Sequence, residues 1–448
     1  MPIPVIVVVP SQEPVRESAA AFAEGRLPTR DLRDATMPSL LTIDPDVPAI
    51  ALGTGRLEDV GAASMAPAQS QSFAVRATAN VDRVEDVPEV IDGRPVFADP
   101  RIEHFATCGG TAALGNAATV AAQLNIAALT AAGRGLDGTN IAIAIMDTGI
   151  NLAFLTARVA GAKLDAGNSW TPPNGTTLPG RYPVDHGTMC AFDALVAAPK
   201  AILLDYPILA SSVPGGSTVG RTIATAMLAF SQLFTGWAVS FAVGGVSKYV
   251  GLVVNNSWGI YHPSWDFPAG HRGRYIDNPR HPFNMLVTAM AASGIDIVFA
   301  AGNCGPGCAD LRCQGRTAQT IMGANAHADV LTLGGCDIND QIVGYSSQGP
   351  SIANMSQQKP DVTAYTHFLG SEAFGPGSAD SGTSAACPVG AGCVAALRTK
   401  VPFLATPPTG LFAQIRTTAR PVLGQTGWRP DFGHGIIDPD AAARSLGV

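Results

Sequence analysis

A serine, a histidine and an aspartate, far apart along the chain, are the side chains whose types could do chemistry together. They are Ser384 in DSGTSAACP, His186 in VDHGTMCAF and Asp147 in AIMDTGI. A serine hydroxyl is a poor nucleophile at neutral pH. It needs an imidazole to take its proton and a carboxylate to hold that imidazole in the right tautomer, and together these three groups would transfer an acyl group through a covalent intermediate. Each residue also has an ordinary reading. Asp147 could end a strand in a turn, His186 could be a satisfied structural histidine, and Ser384 could simply cap a helix.

The elements that must position these residues are legible as short apolar runs: IAIAIM (141–146), AILL (201–204), GLVV (251–254), IDIVFA (295–300) and VLTLGG (330–335). Continuous apolarity without alternation is what a strand buried on both faces requires, so the runs predict an α/β domain with a mostly parallel sheet flanked by helices over 105–448. Ligands in such sheets bind outside the carboxyl ends of the strands. Asp147 directly follows the first run, Asn255 and Asn256 follow the third, and Asn303 follows the fourth. A helix is predicted from Ser384 through SAACPVGAGCVAAL, with Pro388 in its first turn, where no intrahelical N–H is needed. Its unpaired amides and positive dipole end would face a developing negative charge. Gly382, with no side chain, lets a substrate backbone approach.

The first quarter reads differently. Strand 3–9, helix about 13–24, strand SFAVRA (72–77), helix VDRVEDV (81–87) and strand RPVFAD (94–99) form a small α+β module. Its composition also differs. Residues 1–104 carry nine Arg, no Lys, nine Asp and seven Glu, the whole −7 charge of the 448-residue chain, whereas 105–448 is neutral with Glu372 its only glutamate. A domain boundary near residue 104 follows, and neither half is basic enough to suggest a nucleic-acid partner. With 46% hydrophobic and 14% charged residues, the chain is too apolar to be disordered. The opening MPIPVIVVVP has no basic residue and three prolines, so it reads as a strand rather than a signal peptide. The charge-free stretch between Arg221 and Lys248 is broken by polar residues and reads as a buried helix followed by a loop, not a membrane span.

Eight cysteines include three in NCGPGCADLRC. A disulfide-stapled loop, unpaired thiols and a metal site all remain open for that spacing. His262, His271 and His281 in the long segment 260–283 lack a carboxylate at fixed spacing and read as loop residues, so no metal site is assigned. His434 reads as structural, Cys387 as a packed thiol and Asp185 as solvated.

The motifs taken together resemble those of the subtilisin-like serine proteases: Asp147-Thr148-Gly149, His186-Gly187-Thr188 and Gly382-Thr383-Ser384-Ala385-Ala386-Cys387-Pro388, with NNSWG (255–259), AAGN (300–303), YSSQGP (345–350) and GHGIID (433–438) in the family's order. The resemblance implies a serine endopeptidase in which Ser384 is the nucleophile, His186 the base and then the acid, Asp147 the orienting carboxylate, and Asn303 with the Ser384 N–H the oxyanion hole. It further implies that Ser257-Trp258-Gly259 pairs with an extended substrate and walls its pocket, with Ala300-Ala301-Gly302 as the other wall. Small apolar walls suggest apolar preference. Met189 stands where the family has a second histidine, and Cys190 follows it as in the proteinase K branch, where the thiol lies beneath the catalytic histidine.

By the same resemblance, residues 1–104 are a prodomain that chaperones and inhibits, VFADPRIEHF (96–105) is its end, and cleavage falls within about 103–112. The partners implied are a peptide or protein substrate and the chain's own prodomain. No cofactor is required for the chemistry, and structural calcium is common in the family. Two alternatives use the same sequence features: a transpeptidase or macrocyclase that gives the acyl group to an amine, and a non-catalytic binding module.

Overall fold

The computed structural model describes residues 3–11, 40–44, 47–52, 71–91, 93–108, 112–173, 175–210, 221–242 and 248–448. The helix expected at about 13–24 lies outside them. The chain forms two compact units. One comprises Met1–Arg101, Thr222–Ser247 and Pro263–Ser293, and the other Ile102–Arg221, Lys248–His262 and Gly294–Val448.

The first unit is built on an antiparallel sheet of β1 (Ile3–Ser11), β2 (Leu41–Ile43), β3 (Ile50–Leu52), β4 (Gln71–Ala79), β5 (Val90–Ile91) and β6 (Arg94–Ala98), in the order β2-β4-β1-β6-β5, with β3 also on β4. β1 and β4 pair along their whole length, Ile3 opposite Ala79 and Ser11 opposite Gln71. Alternation sends Val5, Val7, Phe73, Val75, Ala77, Val96 and Ala98 into one core, which Phe267 also enters. The helix expected at 81–87 shrinks to a single 3₁₀ turn, Val84–Asp86, whose residues are not buried. The acidic-basic pattern there supplies no apolar face to hold a longer helix. The charge-free stretch forms the helix Ile223–Ala242. Buried Asp99 accepts from the Ala224 N–H at 2.7 Å in its first turn, where a carboxylate complements the helix dipole. Among the described residues no helix is long and apolar enough to cross a membrane. In the 260–283 segment, His271 lies within hydrogen-bonding reach of Val87 O and accepts from the Gly273 N–H. His281 contacts Ala98 O at 2.9 Å and caps the helix Pro282–Ala292.

The second unit contains β7 (Glu103–His104), β8 (Ile141–Met146), β9 (Lys163–Leu164), β10 (Ile202–Tyr206), β11 (Gly251–Asn256), β12 (Trp258–Gly259), β13 (Asp296–Ala300), β14 (Leu331–Cys336) and β15 (Val362–Tyr365). Seven of these form a wholly parallel sheet in the order β15-β14-β13-β11-β8-β10-β9. β8, β11, β13 and β14 are buried at every position, as their unbroken apolar runs require. From β8 the chain goes first to the edge strand β9, then fills the gap with β10, and then crosses to β11 on the other side of β8. The crevice at such a reversal, at the carboxyl ends of the strands, is where open α/β sheets bind ligands. The helices His186–Ala197 and Thr383–Arg398 pack so closely that a Cβ on Gly392 would stand 2.2 Å from Ala194 O. The fold is the expected one, a parallel sheet flanked by helices.

Candidate active site

Asp147 follows the last residue of β8, and His186 is the first residue of its helix. His186 Nδ1 lies 2.8 and 3.0 Å from the two Asp147 oxygens, with both side chains buried. Burial alone would depress the imidazole pKa, but the charge and hydrogen bond of Asp147 outweigh it and raise the pKa above its ordinary value. The carboxylate thus fixes Nδ1–H, and Nε2 has no hydrogen-bond partner among the described residues.

Ser384 is the second residue of the helix Thr383–Arg398, entered through Gly382 at φ +82°, a conformation that favours glycine. Pro388 lies inside this helix rather than at its start, correcting the first-turn expectation. A proline there removes the N–H that would bond the carbonyl four residues back, which belongs to Ser384. That carbonyl instead accepts from Ser257 Oγ at 3.1 Å and from Cys190 Sγ at 3.5 Å. Cys190 Sγ also lies 3.6 Å from Asp147 Oδ2 and 3.7 Å from His186 Nδ1, so the thiol sits under the histidine and touches all three segments. Asp147, His186 and Cys190 present ligand-type atoms within 4.8 Å of one another. Burial first, then the Asp147 charge, pushes the thiol pKa well above its ordinary value, so the thiolate a metal would need is strongly disfavoured.

The crevice is occupied by the chain itself. β7 pairs antiparallel with β12, His104 opposite Trp258 and Glu103 opposite Gly259, and the Phe105 N–H donates to Ser257 O at 3.3 Å. The Phe105 carbonyl oxygen lies 3.1 Å from Ser384 Oγ and 3.2 Å from Asn303 Nδ2. Asn303 is held for this by Thr383, whose N–H and Oγ1 both donate to its Oδ1 at 2.9 Å. Ser384 Oγ also reaches Ser257 O at 3.3 Å, so its hydroxyl is turned to carbonyl acceptors and makes no hydrogen bond to His186.

The Phe105 ring is buried between the two expected walls. A Cβ on Gly259 would stand 2.6 Å from its tip, so the slot has room for an aromatic ring because that position is glycine, whereas a Cβ on Gly302 would only touch the ring at 3.4 Å. Trp258, Ala300 and Ala301 are buried behind it. Asn325, which the sequence did not single out, joins the walls by donating from Nδ2 to both Trp258 O and Ala300 O at 2.9 Å. The His104 ring packs on His186 with centroids 4.6 Å apart. Burial, then the charge of His186, lowers the His104 pKa to about 3, so a neutral ring covers the imidazole.

Two further groups were missed. The Tyr261 hydroxyl accepts from the Ala106 N–H at 2.7 Å and donates to His104 O at 3.0 Å. Arg312 reaches that hydroxyl at 2.7 Å and pairs with Glu103. Their only sequence signals were an unusually long segment and a cysteine-rich loop. That loop is stapled by Cys304–Cys313 and joined by Cys308 to Cys108, whereas Cys190, Cys336, Cys387 and Cys393 are free and buried. Asp193, on the His186 helix, faces Asp380 just before the Ser384 helix, and both carboxyl pKa values are raised, first by burial.

The chain resembles proteins of known type. It is 35% identical over 126 residues to Subtilisin-like protease SBT6.1 of Arabidopsis thaliana, covering 27% of this chain and 11% of that one. It is 24% identical over 318 residues to alkaline elastase YaB of Bacillus sp. (strain YaB), covering 69% of this chain and 66% of that one. The chain thus spans about a tenth of the length of the first curated relatives it matches. The crystal structure of fervidolysin from Fervidobacterium pennivorans, described as a keratinolytic enzyme related to subtilisin, superposes with a TM-score of 0.56 at 16% identity over 99% of this chain and 61% of that one, a likeness of fold. Residues 138–435 match the model of the subtilase family (Peptidase_S8), and the chain belongs to that family.

Proposed function

We propose that the chain is a serine endopeptidase made as a self-inhibited zymogen, and that the bond it first cuts is Phe105–Ala106. The observation that carries this reading is that one carbonyl oxygen, that of Phe105, lies within 3.2 Å of both the Ser384 hydroxyl and the Asn303 amide. A peptide laid antiparallel on β12 with its carbonyl between those groups is posed for acyl transfer. Ser384 Oγ turns from its carbonyl acceptors to His186 Nε2, gives up its proton and attacks the Phe105 carbonyl carbon. Asp147 stabilises the imidazolium that forms. The oxyanion takes hydrogen bonds from Asn303 Nδ2 and from the Ser384 N–H, which in a helix's first turn has no intrahelical acceptor. Collapse breaks the C–N bond, and the imidazolium protonates the Ala106 amine. Water then hydrolyses the Ser384 ester with His186 again as base. No organic cofactor enters these steps.

Residues 1–105, which carry the net charge of the chain, are the inhibitory portion, and Phe105 fills the aromatic slot until it is displaced. An active-site fluorophosphonate and N-terminal sequencing of aged protein test the reading together. Labelling at Ser384 and a new N-terminus at Ala106 are expected, both absent in Ser384→Ala. An unlabelled, permanently intact chain would leave only a binding module.

A further inference from the structure

Antiparallel pairing of Glu103–His104 with Trp258–Gly259 puts alternate side chains of the cleft-bound segment on opposite faces. His104 turns to His186, whereas Glu103 and Phe105 share the other face. On that face Tyr261 stands between them. Its ring meets Phe105 edge-on with centroids 5.3 Å apart, and the Arg312 guanidinium lies 4.0 Å over the same ring. Glu103 is only 3% exposed and its carboxylate is paired with Arg312 Nη1.

The cation is fixed independently of Glu103. Asp310 accepts from Arg312 Nε at 2.9 Å and from Nη2 at 3.1 Å, and Nη2 also donates to the Tyr261 hydroxyl at 2.7 Å. Those contacts occupy one edge of the guanidinium and leave Nη1 directed at the peptide. The loop that carries Arg312 is closed on itself by Cys304–Cys313, a staple that does not involve Glu103. A cation held by a carboxylate and an aromatic face before its ligand arrives loses little entropy on binding it.

We propose that Arg312 and Tyr261 form a carboxylate-binding subsite that selects peptides with Glu or Asp two residues before an aromatic residue at the cut. This rests on the peptidase reading above, since only a cleft that exchanges its own segment for other peptides has a preference to express. Glu103-His104-Phe105 is then the first ligand of the subsite, and its sequence is a template for later substrates.

The test compares three otherwise identical peptides, containing Glu-His-Phe-Ala, Gln-His-Phe-Ala and Lys-His-Phe-Ala, as substrates of the purified full-length chain. The Glu peptide is expected to show a kcat/KM about tenfold above the Gln peptide, with the Lys peptide lowest. Arg312→Glu should reverse the order of Glu and Lys. Arg312→Gln, a milder change should the first variant not fold, should make the Glu and Gln peptides equal. Equal cleavage of the Glu and Gln peptides by the unaltered chain overturns the subsite and leaves the peptidase reading standing. Failure to cut any of the three overturns both.

Discussion

The frame of the cleft and the peptide that fills it are held by different kinds of interaction. The frame is pinned at both ends. Strand β13 runs from Asp296 toward Asn303, the helix beside it runs from Ser384 to Arg398, and at the far end Arg398 Nε and Nη2 bond both oxygens of Asp296 at 2.6 and 2.7 Å, every atom buried. Segment 103–106 has a two-residue ladder, an aromatic ring in a slot and an ion pair at the rim. The first set orients chemistry and cannot be exchanged without unfolding. The second uses main-chain hydrogen bonds and side-chain pockets, which another extended peptide can reproduce.

Substitutions can break this contrast. The largest effect is expected from Asp147→Asn, which keeps the shape but offers the wrong tautomer to His186. Appearance of the Ala106 N-terminus should slow by about 10⁴-fold, with the folded structure intact by circular dichroism. Asp296→Ala leaves Arg398 buried and unpaired and should cost about 3–5 kcal/mol, read from the denaturant midpoint. A change below 1 kcal/mol would show that the far end of the frame is not a pin. Asn303→Ala should slow self-cleavage about 10²–10³-fold, the loss typical of one oxyanion donor.

The smallest effect concerns pH. Asp193 has no hydrogen-bond partner among the described residues other than the facing carboxyl of Asp380, whose oxygens already accept from the Ser371 N–H and Oγ. Two such carboxyls bond only if one keeps its proton; because the Asp380 oxygens already accept from Ser371, the proton sits on Asp193, whose pKa burial raises. A folded-state carboxyl pKa above the unfolded value means that the folded chain binds more protons, so stability falls as pH rises from about 4. Asp193→Asn, which mimics the protonated form, should flatten the denaturant midpoint between about pH 5 and pH 8. An unchanged slope would show that the pair does not hold a proton.

The two units also differ in how plainly the sequence announces them. Five strands of the parallel sheet could be read within a few residues, because burial on both faces demands an unbroken run such as Ile141–Met146. Val362–Tyr365 and Lys163–Leu164 were passed over, the first four residues long and the second two. In the N-terminal sheet β2, β3 and β5 escaped, since three residues or fewer carry no alternation to detect. The placement of Asp147, His186, Ser384 and Asn303 at strand ends and helix starts was legible because each lies within a distinctive motif. Tyr261, Arg312 and Asn325 were not, because their roles arise from neighbours distant in the chain: Asn325 matters only for where Trp258 and Ala300 bring their carbonyls.

The disulfide between Cys108 and Cys308 joins residues 200 apart, and Cys108 stands two places beyond Ala106. A cut before Ala106 would therefore free an amine on a leash of two residues, about 7 Å of extended chain. Such a short tether keeps its end at a local concentration of millimolar or more, so the amine competes with water for the Ser384 ester and resealing accompanies cutting. On the proposed mechanism, residues 1–105 would leave only once water hydrolyses that ester. On the proposed cut, reduction of this one bond would lengthen the leash, and the amine would compete less well with water for the ester.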